Sequence, residues 1–209
     1  MILFLDIISP NPVFSIISEN KHVQSIQILN KNSNKISDSL IPIFLKIQDK
    51  YEIKDKITKM IICTGPGSYT ALRVGISFMY ALSFAKKIPL IDIKCFDLMS
   101  LAVSSSMKNK TILFICSSNE QYFFLKDSIK NEKANIRKFI NKKQLEDYYK
   151  NYPFIISNHK LPFNIEKSNL VHKQVFLSDI IKSNLKKIKK LPVKNVIEPI
   201  YISDNKLFK

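Results

Sequence analysis

The chain has 209 residues, 45% hydrophobic and 24% charged, and a formal net charge of +16. The hydrophobic and charged fractions are ordinary globular values, and the length leaves room for one good-sized domain or two small lobes around a real core. The net charge invites a nucleic-acid reading. Cys63, Cys95 and Cys116 lie far apart in or beside apolar runs, a spacing that suits buried, reduced thiols and neither a zinc motif nor a disulfide framework. No stretch approaches the ~18 uninterrupted apolar residues of a membrane span. The first eight residues lack a basic leader and carry Asp6, so a cytoplasmic protein is expected.

Residues 2–8, 12–18 and 22–29 are β-type runs, joined through Ser9-Pro10-Asn11 and Glu19-Asn20-Lys21; they predict a three-stranded meander. Ser37, Asp38 or Ser39 can cap a helix starting near Pro42, in which Leu40, Phe44, Ile47 and Tyr51 recur at helical spacing. A short buried strand over 60–63 runs into Gly65-Pro66-Gly67-Ser68. A helix over 68–87, stopped by Pro89, a strand over 90–93 and a helix over 96–107 follow. The order is βββαβαβα. In the second half, 111–116 and 121–125 read as a hairpin with its turn at 117–120, 146–150 as helical and 153–157 as a strand. Residues 177–190 read as a helix with Ser178 or Asp179 near its start. The pattern divides the chain into an N-terminal lobe, 1–108, and a smaller C-terminal lobe, 109–209.

The basic residues are nearly all lysine, with Arg73 and Arg137 the only arginines. The accompanying excess of Ile, Asn, Phe and Ser points to an A/T-rich codon supply more than to phosphate geometry, for which arginine is the better fork. The densest run, KSNLKKIKKLPVK at 182–194, suits a solvated helix end with lysines set against the dipole. A lysine-rich RNA-binding protein is the alternative.

All three glycines, Gly65, Gly67 and Gly75, fall within GPGSYTALRVG. Ser68 stands where it can cap the helix. A turn of this kind can cradle phosphate through free N–H groups, but the Lys-Ser/Thr of a Walker A loop is missing, so a tight strand-to-helix turn is the stronger reading. Between Ala71 and Ala85 the sole charge is Arg73. Leu72, Ile76 and Met79 fall on one side, and Val74, Phe78, Ala81 and Ala85 on the other. A helix apolar all round must be covered twice, by its own sheet and by something else. Gly75 would let a second helix approach closely. The turn motif Gly65, Gly67, Ser68, Arg73 and Gly75 thus marks an expected assembly surface.

Residues 60–102 resemble the signature of the TsaB (YeaZ) family, in which a GPGS(F/Y)T-x-LR-(I/V)-G stretch precedes an apolar helix and an "IP" strand. Ile2–Asp6 and Pro199-Ile200-Tyr201 resemble the family's ends. The resemblance implies an α/β, actin-like/ribonuclease-H-like fold of the sugar kinase–heat-shock ATPase superfamily, with a mixed five-stranded sheet in the first lobe and a reduced second lobe. It implies a non-catalytic scaffold in the bacterial complex that forms N6-threonylcarbamoyladenosine next to the anticodon of ANN-decoding tRNAs. The implied partners are a TsaD-like catalytic subunit and a TsaE-like ATPase, with a homodimer in isolation and tRNA reached through the complex. No cofactor is implied for this chain alone, and a nucleotide at the partner interface is left open. Family dimers form through helices corresponding to 39–51 and 69–86, so Phe44 and Ile47 join Leu72, Ile76 and Met79 as expected partner contacts. Departures stand at Ala71, often glycine in relatives, and around 116–121.

An active site is not expected. Asp6 stands where an actin-type kinase keeps its acid, but Ile7-Ile8-Ser9-Pro10 follows without glycine, which opposes a phosphate wrap; Asp6 is expected to make local hydrogen bonds. His22, His159 and His172 are scattered, which disfavours a metal. Ser68 beside Cys63 is the nearest imitation of a nucleophile. A hydrolase of the glycoprotease-like type remains the enzyme-class alternative.

Overall fold

Isoleucine-, leucine- and phenylalanine-rich runs open the chain, and residues of that kind favour the pleated, buried surface of a strand. The computed structural model describes residues 1–18, 23–29, 35–53, 55–116, 123–126, 137–139, 152–161, 171–193 and 196–201. In it β1 (Ile2–Asp6), β2 (Val13–Ile17) and β3 (Val23–Gln27) form an antiparallel meander. Helix α1 (Ile36–Lys50) crosses to β4 (Lys59–Cys63), and α2 (Tyr69–Lys86) crosses to β5 (Leu90–Ile93). Both new strands run parallel, giving a mixed five-stranded sheet of order β3-β2-β1-β4-β5.

Strand alternation sorts the two faces of this sheet. Phe14 points to α1 and α2, where its ring lies 5.8 Å from Phe44 and 5.9 Å from Phe78, with Phe44 and Phe78 5.1 Å apart. Its neighbours Val13 and Ser15 point the other way. There Ser15 meets Ser25 across the strands at 2.8 Å, and Val13 and Ser25 share a cavity with Leu177 and Ser178.

After α3 (Cys95–Ser100) and a single 3-10 turn (Ser105–Met107), the chain builds a second sheet. Its strands are β6 (Thr111–Cys116), β7 (Phe123–Lys126), β8 (Arg137–Phe139), β9 (Phe154–Ser157) and β10 (Val171–Gln174). The order is β10-β9-β6-β7-β8, with β7 and β8 antiparallel and β9 and β10 parallel. This repeats the first sheet, with β6 in the place of β1. The second lobe was expected to be reduced, yet its sheet retains all five strand positions. Two of them, β8 and β10, follow no sequence alternation strong enough to announce them.

The chain then returns to the first lobe. Helix α4 (Leu177–Ser183) packs on α3 and on β1, β2 and β3, and α5 (Leu185–Ile188) continues it. One buried cluster joins Leu113, Ile115 and Ile156 of the second sheet to Leu177, Ile180 and Ile181 and to the first sheet.

Three helix expectations need correction. Helix α1 begins at Ile36, six residues ahead of the expected start, and contains Pro42. The proline sits on the exposed side, where the Asp38 carbonyl it deprives of a hydrogen bond faces water. The helix expected over 96–107 ends at Ser100. The one expected over 177–190 is broken at Asn184, whose side chain donates to the Ile180 carbonyl at 3.0 Å. The turns expected at 19–21 and 117–120, the helix at 146–150 and His22 lie outside the described residues.

Candidate functional site

Gly65 adopts a φ of +118°, a conformation open to glycine, and a Cβ there would stand 2.8 Å from the Ile200 carbonyl oxygen. The C-terminal segment is docked on this turn, since the Ile200 N–H donates to the Thr64 carbonyl at 2.7 Å. The Cys95 N–H donates to the Gly65 carbonyl at 2.9 Å. At Gly67 a Cβ would meet Ile8 Cδ1 at 2.8 Å, and at Gly75 it would meet Ile7 Cδ1 at 2.5 Å. The glycines therefore receive Ile7 and Ile8 from the end of β1. Gly75 admits a strand side chain rather than a second helix, which corrects the sequence expectation. Ser68 holds the N-cap position of α2, and its side chain makes no capping bond.

Where an actin-type fold opens between its lobes, this chain has a cleft of ≈ 580 Å³ bordered by Asp6, Ser9, Asn158, Lys160, Phe176 and Asp179. Asp6 makes the local bonds expected of it. Its Oδ1 accepts from the N–H groups of Ile8 (2.9 Å) and Ser9 (3.0 Å), and its Oδ2 accepts from Ser9 Oγ at 2.7 Å. Burial pushes the Asp6 carboxyl above its ordinary value, and the bonds from Ser9 and Ile8 oppose that rise. Asn158 spans the lobes. It donates to Ser9 Oγ (3.1 Å) and to the Cys116 carbonyl (3.1 Å), and its Oδ1 accepts from the Cys116 N–H at 2.8 Å. At the floor of the cleft Asp6, Ser9 and Asn158 are thus joined in one hydrogen-bond network.

Sequence reasoning missed a serine–histidine contact: Ser157 Oγ lies 2.7 Å from His172 Nε2. A hydroxyl carries one proton, and that of Ser157 is donated to the His159 carbonyl. His172 Nε2 must therefore donate to the serine, the reverse of a general base activating a nucleophile. Ser157 is fully buried. Cys63, the other imagined nucleophile, is also buried, and its hydrogen bond with Cys95, followed by burial, pushes the thiol well above its ordinary value. Among the described residues, no three His, Cys, Asp or Glu side chains come together to hold a metal.

The outer face of α1 and α2 is different. Five of its large apolar side chains stand in solvent: Ile41, Leu45, Tyr69, Tyr80 and Phe84, the last 81% exposed. Between the helices runs a groove of ≈ 610 Å³ lined by Leu40, Ile41, Tyr69, Arg73, Val74 and Phe78. Tyr69 packs against Tyr201 with ring centroids 4.7 Å apart and planes tilted by 47°, and Arg73 lies over the Tyr69 ring at 5.2 Å while donating to its hydroxyl at 3.1 Å.

The partner contacts expected from sequence must be reassigned. Leu72, Met79, Phe44 and Ile47 are buried in the chain's own core, and Ile76 is half-buried against it. The most apolar side of α2 is claimed by β4 and β5, and Phe44 and Phe78 by Phe14, so the face left outside is Tyr69, Arg73, Ser77, Tyr80 and Phe84. The helical spacing sets out two apolar sides of α2, and finding the outward stripe between them needs the position of the sheet.

Two sheets of one strand order, joined by a helix that returns to the first, define an α/β protein of the actin-like type. Residues 30–144, more than half of the chain, match the family model described as TsaD, tRNA N6-adenosine threonylcarbamoyltransferase. The chain is 24% identical over 190 residues to the tRNA threonylcarbamoyladenosine biosynthesis protein TsaB of Buchnera aphidicola subsp. Acyrthosiphon pisum (strain APS), with 83% of each covered. The structure of YeaZ from Pseudomonas aeruginosa superposes with a TM-score of 0.55 at 12% identity, covering 96% of this chain and 99% of that one. Another structure, described as similar to the peptidase YeaZ from Pseudomonas aeruginosa, gives the same TM-score of 0.55 and identity of 12%, over 97% and 99%. The chain belongs to the family of that model, and it is similar to TsaB and YeaZ proteins. Among the described residues no helix is long and apolar enough to cross a membrane.

Proposed function

We propose that this chain is a non-catalytic subunit in the formation of N6-threonylcarbamoyladenosine on tRNA, supporting a TsaD-like transferase. The observation that carries the reading is the exposed α1–α2 face. Ile41, Leu45, Tyr80 and Phe84 flank an apolar groove on the outside of a lobe whose core is already complete. Exposed aromatic stripes of this kind mark protein interfaces. The engaged state of Asp6, Ser9 and Asn158 supports the non-catalytic part, because these three groups at the expected phosphate site already have protein partners. A second copy of the chain is the occupant of the same face in isolation, and the transferase displaces it in the complex. A TsaE-like ATPase acts on the assembled pair, and any nucleotide at the contact belongs to the pair rather than to this chain.

The test is a double variant, Tyr80→Glu with Phe84→Glu. Both side chains are exposed, so folding is retained within about 0.5 kcal/mol. Co-purification with the TsaD-like protein is lost, and the modified nucleoside, measured by mass spectrometry after tRNA digestion, falls to background in a reconstituted reaction. Native-level assembly by this variant would refute the interface. Modification by the purified chain without its partner would refute the non-catalytic role.

A further inference from the structure

The N-terminal ends of the parallel strands in the first sheet lie opposite the cleft, and cations from several parts of the sequence gather there. The Met1 ammonium donates to the Lys56 carbonyl at 3.0 Å, and Thr58 N–H donates to the Met1 carbonyl at 2.9 Å. Met60 N–H donates to the Pro89 carbonyl at 2.9 Å, which brings the end of α2, with exposed Lys86 and Lys87, to the same pole. The C-terminal helices arrive there too. Helix α4 starts at the cleft, where Ser178 and Asp179 line the same cavity as Asp6. Helix α5 ends at the pole, where Lys59 Nζ donates to the Lys189 carbonyl at 3.1 Å. Lys186, Lys187 and Lys190 are exposed around that contact.

The lysine run at 182–194 is therefore not an isolated helix end. The fold joins it to the chain's amino terminus, to the loop before β4 and to the end of α2. Among the described residues the carboxylates nearby are few: Glu52 pairs with Lys56 at 3.2 Å, Asp49 precedes it at the end of α1, and Asp55 stands in the same loop. The side chains of Lys86, Lys87, Lys186, Lys187 and Lys190 face solvent here. Lysine meets phosphate as a flexible point charge without reading bases. A broad lysine surface fed by four chain segments fits an extended phosphate backbone better than a single small anion.

We infer that this pole is a docking face for the sugar–phosphate backbone of a structured RNA, and that this chain touches the tRNA substrate directly. The inference deepens the proposed function, since the choice of RNA over another polyanion rests on that reading. The cleft end carries Lys160 beside Asp6 and Asp179, whereas the exposed lysines are denser at the pole, from which the RNA approaches.

The test uses the full chain, an unmodified tRNA transcript and vesicles of phosphatidylcholine with phosphatidylserine. Fluorescence anisotropy is recorded across a salt series for wild type, for Lys186→Ala/Lys187→Ala/Lys190→Ala, and for a control that removes equal charge elsewhere, Lys94→Ala/Lys160→Ala/Lys173→Ala. The pole variant is expected to bind tRNA about tenfold or more weakly near 0.1 M salt, its log–log salt slope shallower by roughly one per lost phosphate contact. The control variant stays within about twofold of wild type. Equal losses in both variants, unchanged binding in the pole variant, or capture by vesicles without tRNA binding would each overturn the inference. If the alanine set lowers the unfolding midpoint, glutamine replacements are read instead. Co-purification with the transferase is scored separately, so a failed RNA contact and a failed partner interface give different patterns.

Discussion

Replacing Asn158 with alanine tests whether the cleft is a structural junction or a ligand site. Asn158 is buried, and its amide makes three hydrogen bonds, two to the Cys116 backbone and one to Ser9 Oγ. Each is worth about 1 kcal/mol net, and a buried N–H left without its partner costs about 1–3 kcal/mol. Asn158→Ala is therefore expected to destabilise the protein by about 3 kcal/mol. For a chain of this size each kcal/mol shifts the midpoint by about 2–4 °C, so Tm falls by roughly 6–12 °C. Thermal and urea unfolding followed by circular dichroism read the loss, and hydrogen exchange shows faster exchange at the amides of Ser9 and Cys116. Lys160→Ala, at an exposed neighbour on the same cleft, changes stability by less than about 0.5 kcal/mol. If Asn158 were instead held ready for a ligand, its removal would leave stability near wild type. A loss below about 1 kcal/mol, with unchanged exchange at Ser9 and Cys116, would refute the reasoning.

Three further outcomes are expected. Gly65→Ala places a Cβ 2.8 Å from the Ile200 carbonyl at a φ of +118°; the C-terminal segment should undock, with faster hydrogen exchange over 196–201 and about 1–3 kcal/mol lost. Burial raises the Asp6 carboxyl above its ordinary value of 3.8, so the folded state binds this proton more tightly than the unfolded one. That stability is full below pH 3.8 and is lost as pH rises through the folded-state value; Asp6→Asn should match or exceed wild type in urea at pH 7 and leave tRNA modification intact, whereas a catalytic acid would lose it. Burial lowers His172 from its ordinary 6.5, a contribution present above pH 6.5 and lost as pH falls through the folded-state value; His172→Gln should flatten the wild-type decline in urea midpoint below pH 6.5, and an unchanged decline would refute the assignment.

Most of the first lobe was legible in the sequence because its strands are short apolar runs closed by proline or glycine. β5 matches the expected 90–93 residue for residue, and in the second lobe β6 matches the expected 111–116. Pro42 misled the reading of α1, because its tolerance depends on which side of the helix faces water. The second sheet was harder. Val171–Gln174 contains one aliphatic residue in four, and it is a strand because β9 offers a parallel edge beside it. The outward face of α2 was visible as a period but not as a direction. Phe14, 64 residues before Phe78, is what turns Phe44 and Phe78 inward and leaves Tyr80 and Phe84 outside.

Two of the three glycines, Gly67 and Gly75, connect the cleft to the outer face of α2. Ile7 and Ile8, which follow Asp6 where a phosphate-binding hairpin needs small residues, are fully buried. Their side chains occupy the space that Gly75 and Gly67 leave on α2 and its turn. Filling the phosphate site and drawing α2 onto the sheet are thus one packing event. It fixes the inner side of α2 through Leu72 and Met79, so the rotation of the helix about its axis is set by the core. That rotation points Arg73, Tyr80 and Phe84 outward. A variant restoring small residues at the hairpin, Ile7→Gly with Ile8→Gly, would then do more than open a cavity. It would free α2 to rotate and lower affinity for the transferase without touching any contact residue. Destabilisation alone predicts otherwise: at temperatures where the variant stays folded, its affinity would equal that of wild type. Calorimetric titration well below the variant's unfolding midpoint separates the two, and equal affinities there would show that the interface is set by its own surface residues and owes nothing to the glycine turn.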